Sequence, residues 1–336
     1  MSHIIAFPTL NGNRSLLLSE ETASTVYLAL DAQLDSTGTF MATRPGEAIL
    51  RKAKMSRLQL CAALFLGLWV ARVSAEPAQP ILTITAGAVT NHFTVAELLS
   101  RADLDSLQIL PEVDYKVSLT VQAVPLLDLL AGLPLEGFDR LEASATDGFV
   151  AQIPVALIEA GKIGGSVAWI AVESPNHLWP KLPGKDASAG PFYLIWQYPE
   201  RSRVSNEQWP YMLEKLTAVQ SPELRWPQLK VDAALPEDAP ARRGEEVFVT
   251  QCLPCHRLNG GGASDIGPDL VQPMAATNYM TEAGLRALVR DPKSVRSWPQ
   301  QQMPGFPPTA LPDADLNGLI AYLRQIASQR DRVSGH

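Results

Sequence analysis

The chain has 336 residues, 46% of them hydrophobic and 19% charged, enough for a sizeable core and, at about 150 residues per domain, for two domains. Its 28 basic and 35 acidic residues leave a formal charge of −7, which argues against a sequence-independent nucleic-acid binder, whose affinity comes from cations on phosphates. Three cysteines exclude a disulfide-dense scaffold.

Residues 1–54 carry no clear periodicity and read as a disordered upstream extension that is not native to the protein; a genuine extension with its own role is the alternative. Residues 55–75 have the layout of a secretory signal peptide. The basic stretch Arg51–Arg57 leads into the apolar run Leu58–Val70, and Val73-Ser74-Ala75 supplies small residues at the cleavage positions. The run is shorter than the ~20 residues that span a bilayer. An uncleaved, membrane-anchored N-terminus is the alternative. Cys61 lies inside the apolar run without small residues before it, so no lipid anchor is read. Removal of residues 1–75 leaves 261 residues with 21 basic and 30 acidic side chains, and only Cys252 and Cys255 as cysteines. The expected location is the periplasm of a Gram-negative bacterium, with membrane contact only through the transient signal.

Residues 76–232 read as a mixed α+β domain. Ile81–Thr85 alternates as a strand, with Gly87 and Asn91 marking the turn after it. Phe93–Leu99 reads as a helix in which Thr94 and Glu97 form a capping box. Tyr115–Val121 alternates again, and Val124–Leu130 is a short helix with Pro125 in its first turn. Strands follow at Arg140–Ser144 and Phe149–Ile153 around the turn Asp147-Gly148, then at Val167–Val172 and in the aromatic run Gly190–Trp196. His92 is placed in a turn and His177 in a loop. The tryptophans at 169, 179, 196, 209 and 226 read as packing residues. Residues 233–241 form a Pro/Ala/acid-rich linker, and residues 242–330 a helical domain. Its helices are read at Ala241–Val249, Thr281–Val289 and Ala314–Ala327, the last with an apolar face at helical spacing and Asp313 or Asp315 at its start.

The chemistry is concentrated in Gln251-Cys252-Leu253-Pro254-Cys255-His256, a C-x-x-C-H motif that reads as a c-type haem attachment site. Two thiols three positions apart at a helix end can reach the two vinyl groups of one porphyrin, and the adjacent imidazole then falls under the iron. Export fits this chemistry. A thioredoxin-like site sits near a βαβ pattern, whereas these flanks are helical; a zinc site would need a second pair of ligands nearby. For the other axial position the candidates are Met274, Met280, Met303 and His336. Met303 is favoured, because Gln302–Pro307 is a Pro/Gly-rich loop 47 residues past His256 that can carry a thioether to the far haem face.

The C-terminal part resembles a class I cytochrome c over residues 236–329. The shared pattern is Gly244, Phe248, Cys252–His256, Gly267-Pro268-Asp269-Leu270, Met303-Pro304 and the final helix with Tyr322-Leu323. The resemblance implies an all-α fold around one covalent haem c, with Cys252 and Cys255 as thioethers and His256 and Met303 as axial ligands. It also implies that the Pro268 carbonyl accepts a bond from the His256 ring. Residues 93–98, 124–130, 145–149 and 190–192 resemble pieces of the molybdopterin-binding fold of sulfite-oxidase-type enzymes. That family ligates molybdenum through a cysteine thiolate, and residues 76–251 contain none. A degenerate, non-catalytic docking or structural module is therefore expected, without a molybdenum cofactor.

The expected function is electron transfer with periplasmic redox proteins, a dehydrogenase donor and an oxidase or cytochrome acceptor, with no catalytic residues of its own. The alternatives are a molybdenum-dependent, sulfite-type dehydrogenase carrying its own haem domain, and a haem-based sensor with a displaceable Met303. Residues 76–234 hold 11 basic and 19 acidic side chains against 10 and 11 in residues 235–336, so electrostatic steering is expected to come from the first domain.

Overall fold

The computed structural model describes residues 79–110 and 112–334. The upstream extension, the signal peptide, Cys61 and His336 lie outside them. The described residues belong to one compact unit with a β-rich first part and a helical second part.

Among the described residues, nine strands build two sheets. They are β1 (Ile81–Ala86), β2 (Val89–Thr94), β3 (Asp105–Ile109), β4 (Leu119–Pro125), β5 (Arg140–Ala145), β6 (Val150–Pro154), β7 (Val167–Val172), β8 (Phe192–Gln197) and β9 (Leu213–Val219). One sheet has the order β2-β1-β9-β5-β6 and the other β3-β4-β7-β8. All pairings are antiparallel except β1 with β9. The last strand thus enters between the first and the fifth, closing its sheet with contacts far apart in sequence. Phe192 to Trp196 of β8 are all buried. An uninterrupted apolar run of this kind is what a strand covered on both faces requires.

Short helices connect the strands, α1 (Val95–Leu99), α2 (Leu126–Leu129) and α3 (Val155–Glu159), and α4 (Pro222–Arg225) follows the last of them. The capping box at α1 is complete, since the Thr94 side chain accepts from the Glu97 amide and the Glu97 carboxylate accepts from the Thr94 amide at 2.7 Å. Trp196 and Trp209 are buried, and Trp169 and Trp179 pack at the edge of the same core.

Five details depart from the sequence reading, the first being that Val124 and Pro125 end β4, so the helix expected from Val124 starts at Leu126. Asn91 and His92 lie in β2, with His92 Nδ1 3.2 Å from Thr83 Oγ1 across the ladder; the turn before them is made at Gly87. The strand expected from Tyr115 starts only at Leu119, because Glu112–Val117 closes a turn through Lys116 N to Glu112 O and Glu112 N to Val117 O, both 2.9 Å. Strand β3 has only Leu107 and Ile109 as buried residues, too few for a period to show. Strand β9 hides its alternation behind a bulge: the register shifts opposite Ser144 and Ala145, so Glu214 and Lys215 separate the buried Leu213 and Leu216.

The helical part contains α5 (Pro240–Gln251), α6 (Ala276–Tyr279), α7 (Glu282–Arg290), α8 (Pro292–Val295) and α9 (Asp313–Ser334). Thr281 caps α7 by accepting from the Gly284 amide. Helix α9 continues past Ala327 to Ser334. Helices α5 and α9 cross in contact at two glycines. A Cβ on Gly244 would lie 2.0 Å from the Gly318 carbonyl oxygen, so only glycine permits this approach. Four residues on, Phe248 packs on Tyr322 with ring centroids 5.5 Å apart. Both rings are fully buried, each contributing about 1.5–3 kcal/mol by area removed from water. The Tyr322 hydroxyl donates to the Leu229 carbonyl at 2.6 Å. Leu229 and Val231 lie in the helical core, so the chain joins that core before the residues read as linker.

Candidate functional site

Helix α5 ends at the Cys252 cap, and the chain turns back on itself. The Cys252 and Leu253 amides both donate to the Phe248 carbonyl, at 2.9 and 2.8 Å, and the His256 amide donates to the Cys252 carbonyl at 2.8 Å. This turn puts two free thiols and one imidazole on consecutive corners of a short loop, while Leu253 and Pro254 are buried beneath it.

The His256 ring is fixed from one side. Its Nδ1 lies 2.8 Å from the Pro268 carbonyl oxygen, an arrangement that with a proton on Nδ1 leaves Nε2 as a lone-pair donor. The Gly267 amide donates to the Cys255 carbonyl at 2.7 Å, and a Cβ on Gly267 would come within 2.4 Å of the imidazole. Glycine at 267 is therefore what lets the ring lie flat against the 267–268 backbone. Burial holds the imidazole below its ordinary pKa, which favours the neutral, ligating form; the Pro268 carbonyl and Asp269 oppose this only in part.

Asp269 closes the loop that carries Pro268. Its carboxylate accepts from the amides of Asn259, Gly260, Val271 and Gln272 at 2.6–3.0 Å. Burial alone would raise its pKa, but these four donors together hold it below the usual carboxylate range.

Both cysteine thiols are pushed up, first by burial and next by the Glu207 carboxylate. Cys255 reaches about 12, with Asp147 adding to the rise and Lys185 opposing it. These cysteines are thus held as neutral thiols, unlike the low-pKa thiolate of a reactive redox centre.

Of the methionines, Met274 is exposed, whereas Met280 and Met303 are half-buried against the helical core. The Met303 loop is anchored just beyond it. The Phe306 amide donates to the Val289 carbonyl at 3.0 Å, and the Arg290 guanidinium donates to the Phe306 and Leu311 carbonyls at 2.8 and 2.5 Å. Two residues before Met303, the Gln301 amide has its nitrogen and oxygen both buried without a partner. The loop thus retains buried hydrogen-bonding capacity for a polar group.

The surroundings of the motif come largely from the β-rich part, which the sequence did not disclose. The Val150 amide at the start of β6 donates to the Pro254 carbonyl at 3.1 Å. The buried Ser264 hydroxyl donates to the Gly148 carbonyl at 2.9 Å. The β5–β6 turn therefore bonds to the Cys252–His256 loop itself and to the chain that follows it. Asp147 at that turn accepts from the Phe149 amide and pairs with Lys185 at 3.3 Å, and Lys185 also donates to the Tyr211 hydroxyl at 2.6 Å. Behind them the Tyr193 hydroxyl lies between the carboxylates of Glu112 and Asp114.

Comparison with known families bears on the helical part. Residues 241–327 match the family model described as Cytochrome c. That cytochrome c domain supports haem-based electron transfer and implies haem c as its prosthetic group. The residues present fit the group: a thiol pair at C-x-x-C spacing, an imidazole with Nε2 available, and the glycine cradle at 267. The match begins at the start of helix α5 and ends inside α9; it does not reach the β-rich part. Among curated proteins no match was found.

Proposed function

We propose that the protein is a periplasmic one-electron carrier in which Cys252 and Cys255 hold one haem c covalently and His256 and Met303 are the axial ligands. The observation that carries this is the His256–Pro268 contact at 2.8 Å beside two free thiols, inside a segment that matches cytochrome c. When bound, the haem supplies a one-electron ferric/ferrous couple, and His/Met ligation favours the reduced form. The chain's own residues do the rest. Pro268 orients the His256 ring, Gly267 gives it room, and Asp269 fixes the loop holding both. Leu253, Phe248 and Tyr322 keep water from the interior behind the motif. Rigid ligands keep the reorganisation on electron transfer small.

In this proposal the β-rich part is a degenerate relative of the sulfite-oxidase-type molybdopterin domain, serving as a docking or structural module. Its lack of cysteine supports the reading. Its acidic balance favours a basic partner surface.

The test is an absorption spectrum of the exported holo-protein, oxidised and reduced, together with metal analysis. One haem per chain, resistant to acid–acetone extraction, is the expected result. A colourless protein with both thiols alkylatable would overturn the proposal. Stoichiometric molybdenum would replace it with the dehydrogenase reading.

A further inference from the structure

The surface over the Cys252–His256 loop is taken by the β-rich part, through the Val150–Pro254 and Gly148–Ser264 bonds, and a Cβ on Gly148 would touch Ile266 at 3.6 Å. The loop that carries Met303 is not covered in this way. Among the described residues, no hydrogen bond or ion pair joins residues 292–302 to the β-rich part.

Residues 291–305 leave and rejoin the helical core at one place. The Phe306 amide donates to the Val289 carbonyl at 3.0 Å, and a Cβ on Gly305 would lie 2.6 Å from the Arg290 carbonyl oxygen. Between these ends the loop is ordered by its own backbone. Helix α8 opens it, with the Asp291 carboxylate accepting from the Lys293 amide at 3.2 Å, and the Gln301 amide donates to the Trp298 carbonyl at 3.1 Å. Residues 293–300 are nevertheless all exposed. Trp298, a large apolar side chain, leaves 44% of its surface in solvent, and Val295 is exposed beside it. Apolar residues exposed singly need no explanation. Here two of them share one short loop with two cations. The Arg296 guanidinium lies over the Trp298 ring, 5.4 Å from its centroid. Lys293 and Arg296 form no ion pair among the described residues, and residues 292–312 contain no acidic side chain.

We propose that the tip of this loop, Lys293 to Trp298, is the surface through which the protein exchanges electrons with an acidic redox protein. The inference rests on the electron-carrier reading above and names the partner's chemistry: carboxylates around an apolar centre.

Charge selects this occupant. The chain's formal charge is −7, so an acidic partner is repelled by the molecule as a whole and steered to its cationic tip. Lys293 and Arg296 supply the complementary charge, and Trp and Arg are the side chains that most often anchor protein interfaces. Met303 stands on the same loop, five positions beyond Trp298. The basic partner surface favoured by the acidic β-rich part would meet a different region, so the two partners differ in charge and in where they land.

The experiment follows oxidation of the reduced, full holo-protein by hexacyanoferrate(III) in stopped flow, as salt rises from about 10 to about 200 mM. One electron leaves the protein, hexacyanoferrate(III) becomes hexacyanoferrate(II), and no proton moves. Net charge and loop predict opposite signs. A negative chain repels this anion, so salt would speed the reaction; a cationic tip attracts it, so salt slows the reaction. Slowing is the expected result for the unaltered chain. Lys293→Glu with Arg296→Glu should lower the low-salt rate about tenfold and reverse the salt dependence, with the haem spectrum retained. Lys181→Glu with Lys230→Glu, the same change in net charge at two exposed lysines outside the loop, should keep the slope of the unaltered chain. On a gold electrode carrying a mixed carboxylate- and methyl-terminated monolayer, Trp298→Ala should exchange electrons several-fold more slowly than the unaltered chain. A rate that rises with salt in the unaltered chain, an equal response of the two double variants, or a Trp298→Ala protein that matches the unaltered chain refutes the inference alone. Sedimentation of the unaltered chain with phosphatidylglycerol vesicles, abolished by the loop double variant, would assign the tip to lipid instead. Absence of haem from the unaltered chain refutes the reading beneath it.

Discussion

The Val150 amide of strand β6 donates to the Pro254 carbonyl, at 3.1 Å, inside the Cys252–His256 segment. The β-rich part is thereby bonded into the middle of the motif through main-chain atoms. A second bond, Ser264 Oγ to Gly148 O, ties down the chain that follows it.

Ser264→Ala tests the grip. Ser264 is buried, so losing its hydroxyl removes a bond that contributes about 1 kcal/mol. The expected result is a lowered denaturation midpoint with the haem spectrum retained, because the ligands are untouched. Unchanged stability would mean that the turn does not hold the loop.

Gly267→Ala addresses the ring. The added Cβ would meet the imidazole at 2.4 Å, and the residue cannot retreat without losing its 2.7 Å bond to the Cys255 carbonyl. The His256 ring must tilt away from Pro268. Expected are a several-fold loss of haem-loaded protein and an altered ferric spectrum. Normal yield and spectrum would show that the ring has another stable seat.

Gly244→Ala probes the helix crossing. Its Cβ would meet backbone, the Gly318 carbonyl, at 2.0 Å, so no side chain can move aside. Overpacking of this kind costs about 2–3 kcal/mol. Chemical denaturation of the holo-protein should show that loss, and Gly244→Ser should be at least as damaging. Native-like stability in either variant would contradict the tight crossing.

Met303→Ala and Met280→Ala separate the two half-buried methionines. In the ferric protein the weak far-red band of a sulfur ligand should vanish for Met303→Ala and persist for Met280→Ala. The reverse pattern would reassign the ligand.

Asp114 predicts a pH dependence of stability. Burial raises its carboxyl to about 6, the Tyr193 hydroxyl opposes this in part, and Glu112 adds to it. A carboxyl raised above its unfolded value of about 3.9 is most favourable while protonated. Its contribution is therefore complete below about pH 4 and is lost as pH rises through about 6, on the order of 2 kcal/mol. Asp114→Asn should remove this component, so its melting temperature should change less between pH 4 and 7 than that of the unaltered chain. Parallel curves would remove Asp114 as the cause.

Much of this architecture could be read from local pattern. The Thr94/Glu97 capping box, the turn at Asp147-Gly148, the buried run at Phe192–Trp196 and the helical periodicity of the last helix each depend on neighbours in sequence, and each was visible there. So was the C-x-x-C-H motif, because the spacing of its thiols and imidazole is itself the chemistry. Strands β3 and β9 were not visible, since one is short and the other is broken by a bulge against β5.

What the sequence determined by itself was the kind of chemistry, through a five-residue motif, and the existence of a β-rich and a helical part. Tertiary structure alone decided how they meet. Val150 and Gly148 reach the motif and the chain after it from a turn more than a hundred residues away, through one main-chain amide and one main-chain carbonyl. Backbone amides and carbonyls leave no trace in residue identity. Only folding turns them into the surroundings of Cys252 and Cys255.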